Sequence, residues 1–469
     1  MRFRRLGYSM VDAIVDYRQT LEKYPVRSEV ASGYLAKRLP DQAPETPETM
    51  EEIMADVQEH IMPGMTHWQH PNFYAWYPAN SSYPAMLGDM LSSALGIIGF
   101  SWNGSPAATE LETVVLDWFA RFLNLPDCFL SSGGSGGGGV IQGSASEACL
   151  VALLAARTRA LKQRGAAPGS LVAYATDQSH SCVKKACMIA GVEHLRLVET
   201  RGADGWALDP ATLEAAMTAD EAAGLHPFFL NTLIGTTSTA AVDPVADVAA
   251  VAARHGAWTH VDAAYAGVFA CLPEQHAQHF QGLEAADSIA TNAHKGMLVT
   301  FDCCALWVKD SFWLRSALSL EPQYQFAGLR HEEEHLDYKD WQVPLGRRFR
   351  ALKLWFVLRL YGAEKIRAYL QHHLDTAAAL VELVKRDDRF ELAAPPRFGL
   401  VCFRLRGASD EESRAFLERI NRSGKAFLVH TVVGGRHTIR CAIGGVQTQW
   451  RHVESTWRLI QQLAEEKEA

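Results

Sequence analysis

The stretch SIATNAHKGMLVTFDCCALWV (Ser288–Val308) decides the fold, because two apolar runs, SIATNA (288–293) and CCALWV (303–308), flank His294 and Lys295. Each run has the length and apolar character of a buried strand. An ammonium between two buried strands costs free energy unless something meets it. Working upstream, similar runs recur as LVAYA (171–175), HLRLV (194–198), PFFLNTLIG (227–235) and WTHVDAA (258–264), separated by stretches with helical spacing. Strands that alternate with helices predict a mainly parallel α/β sheet covered on both faces, with its sites beyond the carboxyl ends of the strands.

The chain of 469 residues exceeds one simple core and divides into three parts. Residues 1–78 read as a mostly helical segment, broken by the linker LPDQAPETPETMEE, that restarts near Glu48 and needs a second surface to bury its apolar face. Residues 79–352 hold the sheet. Residues 353–469 read as a small α+β domain: helix 363–386, strand 399–405, helix 410–422, strands 427–433 and 437–443, and helix 447–466. The one low-complexity stretch, SSGGSGGGG (131–139), reads as a loose surface loop.

A hydrophobic fraction of 48% with 21% charged residues belongs to a folded globular chain. The net charge of −8 argues against nucleic acid or anionic membrane as partners. The N-terminal stretch has amphipathic spacing rather than the apolar core of a signal peptide, and no run is long enough to span a bilayer, so a cytoplasmic location is expected. Nine cysteines show neither CxxC nor zinc-ligand spacing, and they read as reduced packing residues with no metal site.

Four features could carry chemistry. Gly143 to Ser146 combine N-cap residue types with a helical pattern that follows, which suits either an ordinary capped helix or an anion site at a helix N-terminus. Asp262 ends an apolar strand, where it either caps the next turn or meets a cation. His180 follows LVAYA as a loop histidine or a flat ring against a ligand. Lys295 is either a loop charge or, if desolvated, a nucleophile for aldehydes. All four sit at strand ends of one sheet, and together they are the parts that hold pyridoxal phosphate.

The chain resembles the aromatic L-amino acid decarboxylases, the group II pyridoxal-phosphate decarboxylases. The matching stretches are HPNFYAWYPANSSYPAMLGDML, GFSWNGSPAATELETVVLDW, GVIQGSASEACLVALLAAR, DQSHSCVKKA, GTTSTAAVDPV, HVDAAYAG, NAHKGMLVTFDCCALWVK and WQVPLGRRFRALKLWFVLRLYG, in family order. This resemblance implies the type I, aspartate aminotransferase-like fold with a seven-stranded sheet, and a homodimer with shared active sites. It implies that Lys295 carries pyridoxal 5'-phosphate as a Schiff base, that Asp262 pairs with the pyridine nitrogen and that His180 stacks on the ring. Ala145, Ser146, Thr237, Asn292 and His294 would complete the cofactor shell. A mobile loop near residues 325–343 would reach the neighbouring subunit, with Tyr338 as the proton donor to the substrate carbon.

The implied reaction is decarboxylation of an aromatic L-amino acid to its arylalkylamine. An aldehyde synthase is the alternative, associated in this family with phenylalanine in place of the catalytic tyrosine or asparagine in place of the stacking histidine; this chain keeps Tyr338 and His180. By the same resemblance, Trp68, Tyr77, Pro78, Ala79, Ile98, Phe100 and Gly346 would line the substrate pocket. Glycine at 346, where histidine-specific and phenol-preferring members tend to have serine, leaves room for an indole or catechol: tryptophan, 5-hydroxytryptophan or DOPA, with tyrosine, phenylalanine and histidine as further candidates. Ala79 replaces a common threonine or serine. Ala293 and Gly296 replace a proline and a bulky residue, which leads us to expect a roomier, more mobile cofactor edge.

Overall fold

The computed structural model describes residues 2–320 and 336–466. Its centre is a seven-stranded sheet made of β1 (Gly138–Gln142), β2 (Leu171–Thr176), β3 (His194–Val198), β4 (His226–Leu233), β5 (Trp258–Asp262), β6 (Ser288–Asn292) and β7 (Cys304–Val308). The strand order is β1-β7-β6-β5-β4-β2-β3. Strands β2 to β6 run parallel, and β7 is antiparallel to both of its neighbours. The reason is length: the connection from Asn292 to Cys304 is too short for a parallel crossover. Strands β2, β5, β6 and β7 are buried throughout, which explains why they read as continuous apolar runs rather than alternating ones.

Strand β1 was hidden in the glycine run. Gly138 and Gly139 belong to it, and a Cβ on Gly139 would lie 2.7 Å from Trp307 Cδ1, so this half of the run is a packed strand rather than a loose loop. A Cβ on Gly137 would strike the Cys128 carbonyl. The glycines are there because β7 and the Cys128 turn approach closely.

The N-terminal segment is less helical than expected. It contains α1 (Arg2–Gln19) and α2 (Met50–Asp56), but residues 24–49 form turns, with Pro25, Pro40, Pro44 and Pro47 excluding regular helix. Thr49 starts α2 through a capping box with Glu52. Then come α3 (Tyr83–Leu95) and α4 (Pro106–Phe122), and α3 lies against the long helix Arg350–Arg386 so closely that a Cβ on Gly88 would be 2.6 Å from Lys353 Cα. That long helix bends at Gly362, whose φ is 71°, and the expected 352/353 boundary falls inside it.

The C-terminal part is an antiparallel sheet of β8 (Phe390–Leu392), β9 (Leu400–Leu405), β10 (Val429–Val433) and β11 (Arg436–Ala442), ordered β10-β11-β9-β8. Helices Asp410–Arg422 and Trp450–Glu465 cover it through Phe416, Ile420, Trp457 and Ile460. Among the described residues no helix is long and apolar enough to cross a membrane, and no cluster of His, Cys, Asp and Glu could hold a metal ion.

Candidate active site

Lys295 lies in the helical turn Ala293–Gly296 that leads out of β6. This turn is pinned from outside: Asn80 Nδ2 donates to the Lys295 carbonyl at 2.5 Å and Asn80 N to the His294 carbonyl at 2.8 Å. The ammonium is therefore aimed by backbone contacts, with Nζ 5.2 Å from the centre of the Tyr77 ring. Burial draws the Lys295 pKa below that of an ordinary amine, while the Asp262 charge opposes that fall.

Asp262 is the last residue of β5, in register with Leu233 of β4 and Ala290 of β6, and its Oδ1 accepts the Ala264 N–H at 3.0 Å. The helices α5 (Ala145–Arg164) and α6 (Cys182–Ala190) supply the other walls. Ser144 Oγ caps α5 by accepting from Glu147 N at 3.2 Å, and Gly143 N donates to Glu147 Oε2 at 2.9 Å. The N–H groups of Ala145 and Ser146 lie in the first turn, where a helix has no acceptor of its own for them. His180 precedes α6, and its Nδ1 accepts the Cys182 N–H at 3.2 Å. A hydrogen bond with Cys182 holds the His180 pKa above the usual imidazole value, against the effect of burial.

These groups surround one cavity of about 130 Å³, whose wall includes Lys295, Asp262, His180, Asn292, Thr237 and the start of α5. Two wider surface clefts, of about 590 and 580 Å³, include no residue of the seven-stranded sheet. The donor set fits pyridoxal phosphate: a helix N-terminus for the phosphate, an amine of lowered pKa for the aldehyde and a carboxylate for the ring nitrogen. Asn292 adds a direct sign of a missing partner, since its buried Oδ1 has no hydrogen-bond partner among the described residues.

Not every expected residue meets here. His294 does not line the cavity; its Nδ1 accepts the Cys303 N–H at 2.9 Å, and burial pushes its pKa down to about 4. Of the substrate set only Tyr77 reaches the cavity. Pro78 packs on Gly444, and the Ala79 carbonyl accepts from Gln69 Nε2. Trp68 stacks on Trp76 at 5.0 Å. Ile98 is 60% exposed, and a Cβ on Gly346 would lie 3.7 Å from its Cγ2, while the Phe100 carbonyl accepts from Lys339 N at 2.8 Å. Tyr338 is buried away from the cavity, its hydroxyl 3.0 Å from Thr113 Oγ1 and its ring 4.8 Å from the Arg347 guanidinium. Much of the expected loop, residues 325–335, lies outside the described residues.

The cofactor edge is also tighter than expected. Ala293 is fully buried, and a Cβ on Gly296 would lie 2.6 Å from Val268 Cγ2, so this glycine serves close packing rather than mobility.

Sequence reading missed Arg440, in β11. It does not line the cavity itself; it is 3% exposed, lies 4.9 Å from the Tyr77 ring centre, and donates through Nη1 to the Trp76 carbonyl at 3.1 Å, while its buried Nε and Nη2 have no hydrogen-bond partner among the described residues. Tyr77 in turn stacks on Tyr265, with ring centres 3.7 Å apart. The available signal was an arginine inside the apolar run HTIRCAI (437–443), the same logic that singled out Asp262.

The conserved domain of pyridoxal-dependent decarboxylases matches residues 32–406. The chain is 50% identical to phenylacetaldehyde synthase of Arabidopsis thaliana, over 99% of this chain and 96% of that protein. It is 47% identical to tryptophan decarboxylase 2 of Oryza sativa subsp. japonica, over 98% of this chain and 94% of the relative. The crystal structure of Oryza sativa TDC with PLP and tryptamine superposes with a TM-score of 0.94 at 43% identity, covering 98% of this chain and 97% of the other.

Proposed function

Because the chain belongs to the pyridoxal-dependent decarboxylase family, we propose that it converts an aromatic L-amino acid into its arylalkylamine and carbon dioxide in the Lys295 cavity. The observation that carries this reading is the convergence of Lys295, Asp262, His180 and the first turn of α5 on one cavity. When bound, pyridoxal phosphate supplies a conjugated ring that accepts the electron pair left on the substrate carbon.

The protein's own groups do the rest. Ala145 and Ser146 hold the phosphate through main-chain N–H groups, with Thr237 and Asn292 beside them. Desolvation favours the neutral, nucleophilic form of the Lys295 amine, the form that would hold the cofactor through its aldehyde. Asp262 would favour a proton on the ring nitrogen, and His180 would lie against the ring. The unpaired donors of Arg440 suit the carboxylate of the amino acid, and holding that group selects the bond that breaks. Tyr338 returns a proton to the substrate carbon.

Tyr338 does not reach the cavity of its own chain, and Ile98, Phe100 and Gly346 gather elsewhere, so a second copy is the natural source of these groups. Exposed apolar residues on α1 and α3, among them Phe3, Tyr8, Leu87, Met90 and Leu95, give a homodimer a surface to bury. The free, mostly buried cysteines favour a cytoplasmic home.

The second reading is an aldehyde synthase, which the similarity to phenylacetaldehyde synthase favours and the retained Tyr338 and His180 oppose. A panel of aromatic amino acids and histidine separates the two. Tryptophan, 5-hydroxytryptophan or DOPA should give amine and carbon dioxide in equal amounts without peroxide. Aldehyde and hydrogen peroxide formed in step with carbon dioxide would establish the synthase, and histidine as best substrate would refute the room argued for at Gly346.

A further inference from the structure

Position 143 is glycine for reasons of space: its φ is not positive, yet a Cβ there would lie 3.1 Å from Glu147 Oε2, 3.3 Å from Asp302 Oδ2 and 3.9 Å from Arg350 Nη2. Three charged side chains from three segments face this one stretch of backbone. Glu147 comes from the first turn of α5, Asp302 from the loop between Lys295 and β7, and Arg350 from the start of the long helix Arg350–Arg386. Glu147 Oε2 accepts the Gly143 N–H at 2.9 Å. Arg350 grips Asp302 with a fork of two hydrogen bonds, Nε to Oδ1 at 3.1 Å and Nη2 to Oδ2 at 2.9 Å, and both side chains are mostly buried. None of the three lines the Lys295 cavity, so their action on it is indirect.

The connection to Lys295 runs through the backbone. Asp302 is followed by Cys303, whose N–H donates to His294 Nδ1 at 2.9 Å and whose carbonyl accepts the His294 N–H at 3.3 Å. His294 immediately precedes Lys295. On the other side, Gly143 leads into Ser144, Ala145 and Ser146, the turn at the cavity wall whose free N–H groups suit a phosphate. We propose that Glu147, Asp302 and Arg350 are positioning residues that set the spacing between this phosphate cradle and the Lys295 amine. A ligand held at both ends, by its phosphate and by its aldehyde, binds well only when that spacing is right, whereas a ligand without the phosphate is indifferent to it. The proposal rests on the reading of Ala145 and Ser146 as the holders of the phosphate.

The charges divide the roles. Two carboxylates behind an anion cradle repel a phosphate, and the Arg350 guanidinium offsets the one it holds. Removing Arg350 alone leaves Asp302 as an uncompensated, mostly buried charge beside the cradle, whereas removing both charges takes the imbalance away. Glu147 acts instead as the acceptor that fixes the Gly143 N–H, so glutamine, which keeps a side-chain oxygen, can replace it and alanine cannot.

The test measures the affinity of the apoenzyme for pyridoxal 5'-phosphate and for pyridoxal, which carries the aldehyde without the phosphate, by the absorption of the Schiff base. Glu147→Ala and Arg350→Met should each weaken pyridoxal phosphate about tenfold or more, the scale of one lost hydrogen bond to a charged group, and leave pyridoxal unchanged. Retained pyridoxal binding shows that a variant has folded. Glu147→Gln should match the parent for both ligands, and adding Asp302→Asn to Arg350→Met should recover most of the lost affinity. Equal losses for the two ligands, no loss in either single variant, or no recovery in the double variant would overturn the proposal. A parent that binds both ligands equally would remove the cradle at Ala145 and Ser146, and this proposal with it, so the two failures are told apart.

Discussion

Asp262 and Arg440 pull the Lys295 amine in opposite directions: the carboxylate raises its pKa and the guanidinium lowers it, on top of the larger lowering by burial. A negative neighbour favours the ammonium, so Asp262→Asn should move the pH midpoint of cofactor capture by apoenzyme downward. Arg440→Met should move it upward, with a KM for the amino acid raised about tenfold or more if the guanidinium meets its carboxylate, since a hydrogen bond to a charged group contributes about 1.5–3 kcal/mol. Stopped-flow capture rates against pH decide it; equal midpoints in all three proteins would remove both groups from the neighbourhood of the amine. Lys295, Asp262 and His180 were legible because each is a polar group at the end of an apolar run. Arg440 was not, because its contact with Tyr77 joins residues 363 positions apart, and local pattern says nothing about such distances.

At the scale of elements, sequence reading succeeded where periodicity carries the information and failed where backbone proximity does. The helix expected over 410–422 is found as Asp410–Arg422, with a Ser409–Glu412 capping box that the residue types announce. Strand β1 was unreadable because its first residues are glycines, chosen by what packs against them rather than by strand preference. Gly139→Ala should therefore cost about 1–3 kcal/mol of stability through overpacking against Trp307. Gly296→Trp should likewise lower the melting temperature or loosen the cofactor, because Val268 and Leu370 occupy the space a side chain needs. Differential scanning fluorimetry with and without pyridoxal phosphate reads both; unchanged melting would mean that the backbone yields at no cost. The buried Arg347–Glu112 pair, which also takes in Gln342, underlies the Tyr338 ring and so sets the root of the segment bearing it.

For the whole molecule, the mainly parallel sheet was legible, whereas the 352/353 division falls inside the helix Arg350–Arg386, and Tyr338, Ile98 and Phe100 do not line the Lys295 cavity of their own chain. If Tyr338 serves the neighbouring subunit, chains carrying Lys295→Ala and Tyr338→Phe, each inactive in amine formation alone, should regain amine formation when mixed in one dimer. One of the two sites then has both Lys295 and Tyr338. No recovery in a verified hybrid would place Tyr338 in its own chain's reaction or outside it. The claim beneath all of this is that Lys295, among all lysines of the chain, receives the cofactor. Reduction of the holoenzyme with sodium borohydride, followed by peptide mapping, tests it most directly: the account predicts a pyridoxyl group on the peptide containing Lys295 and on no other, and a label on a different lysine, or none at all, would contradict it.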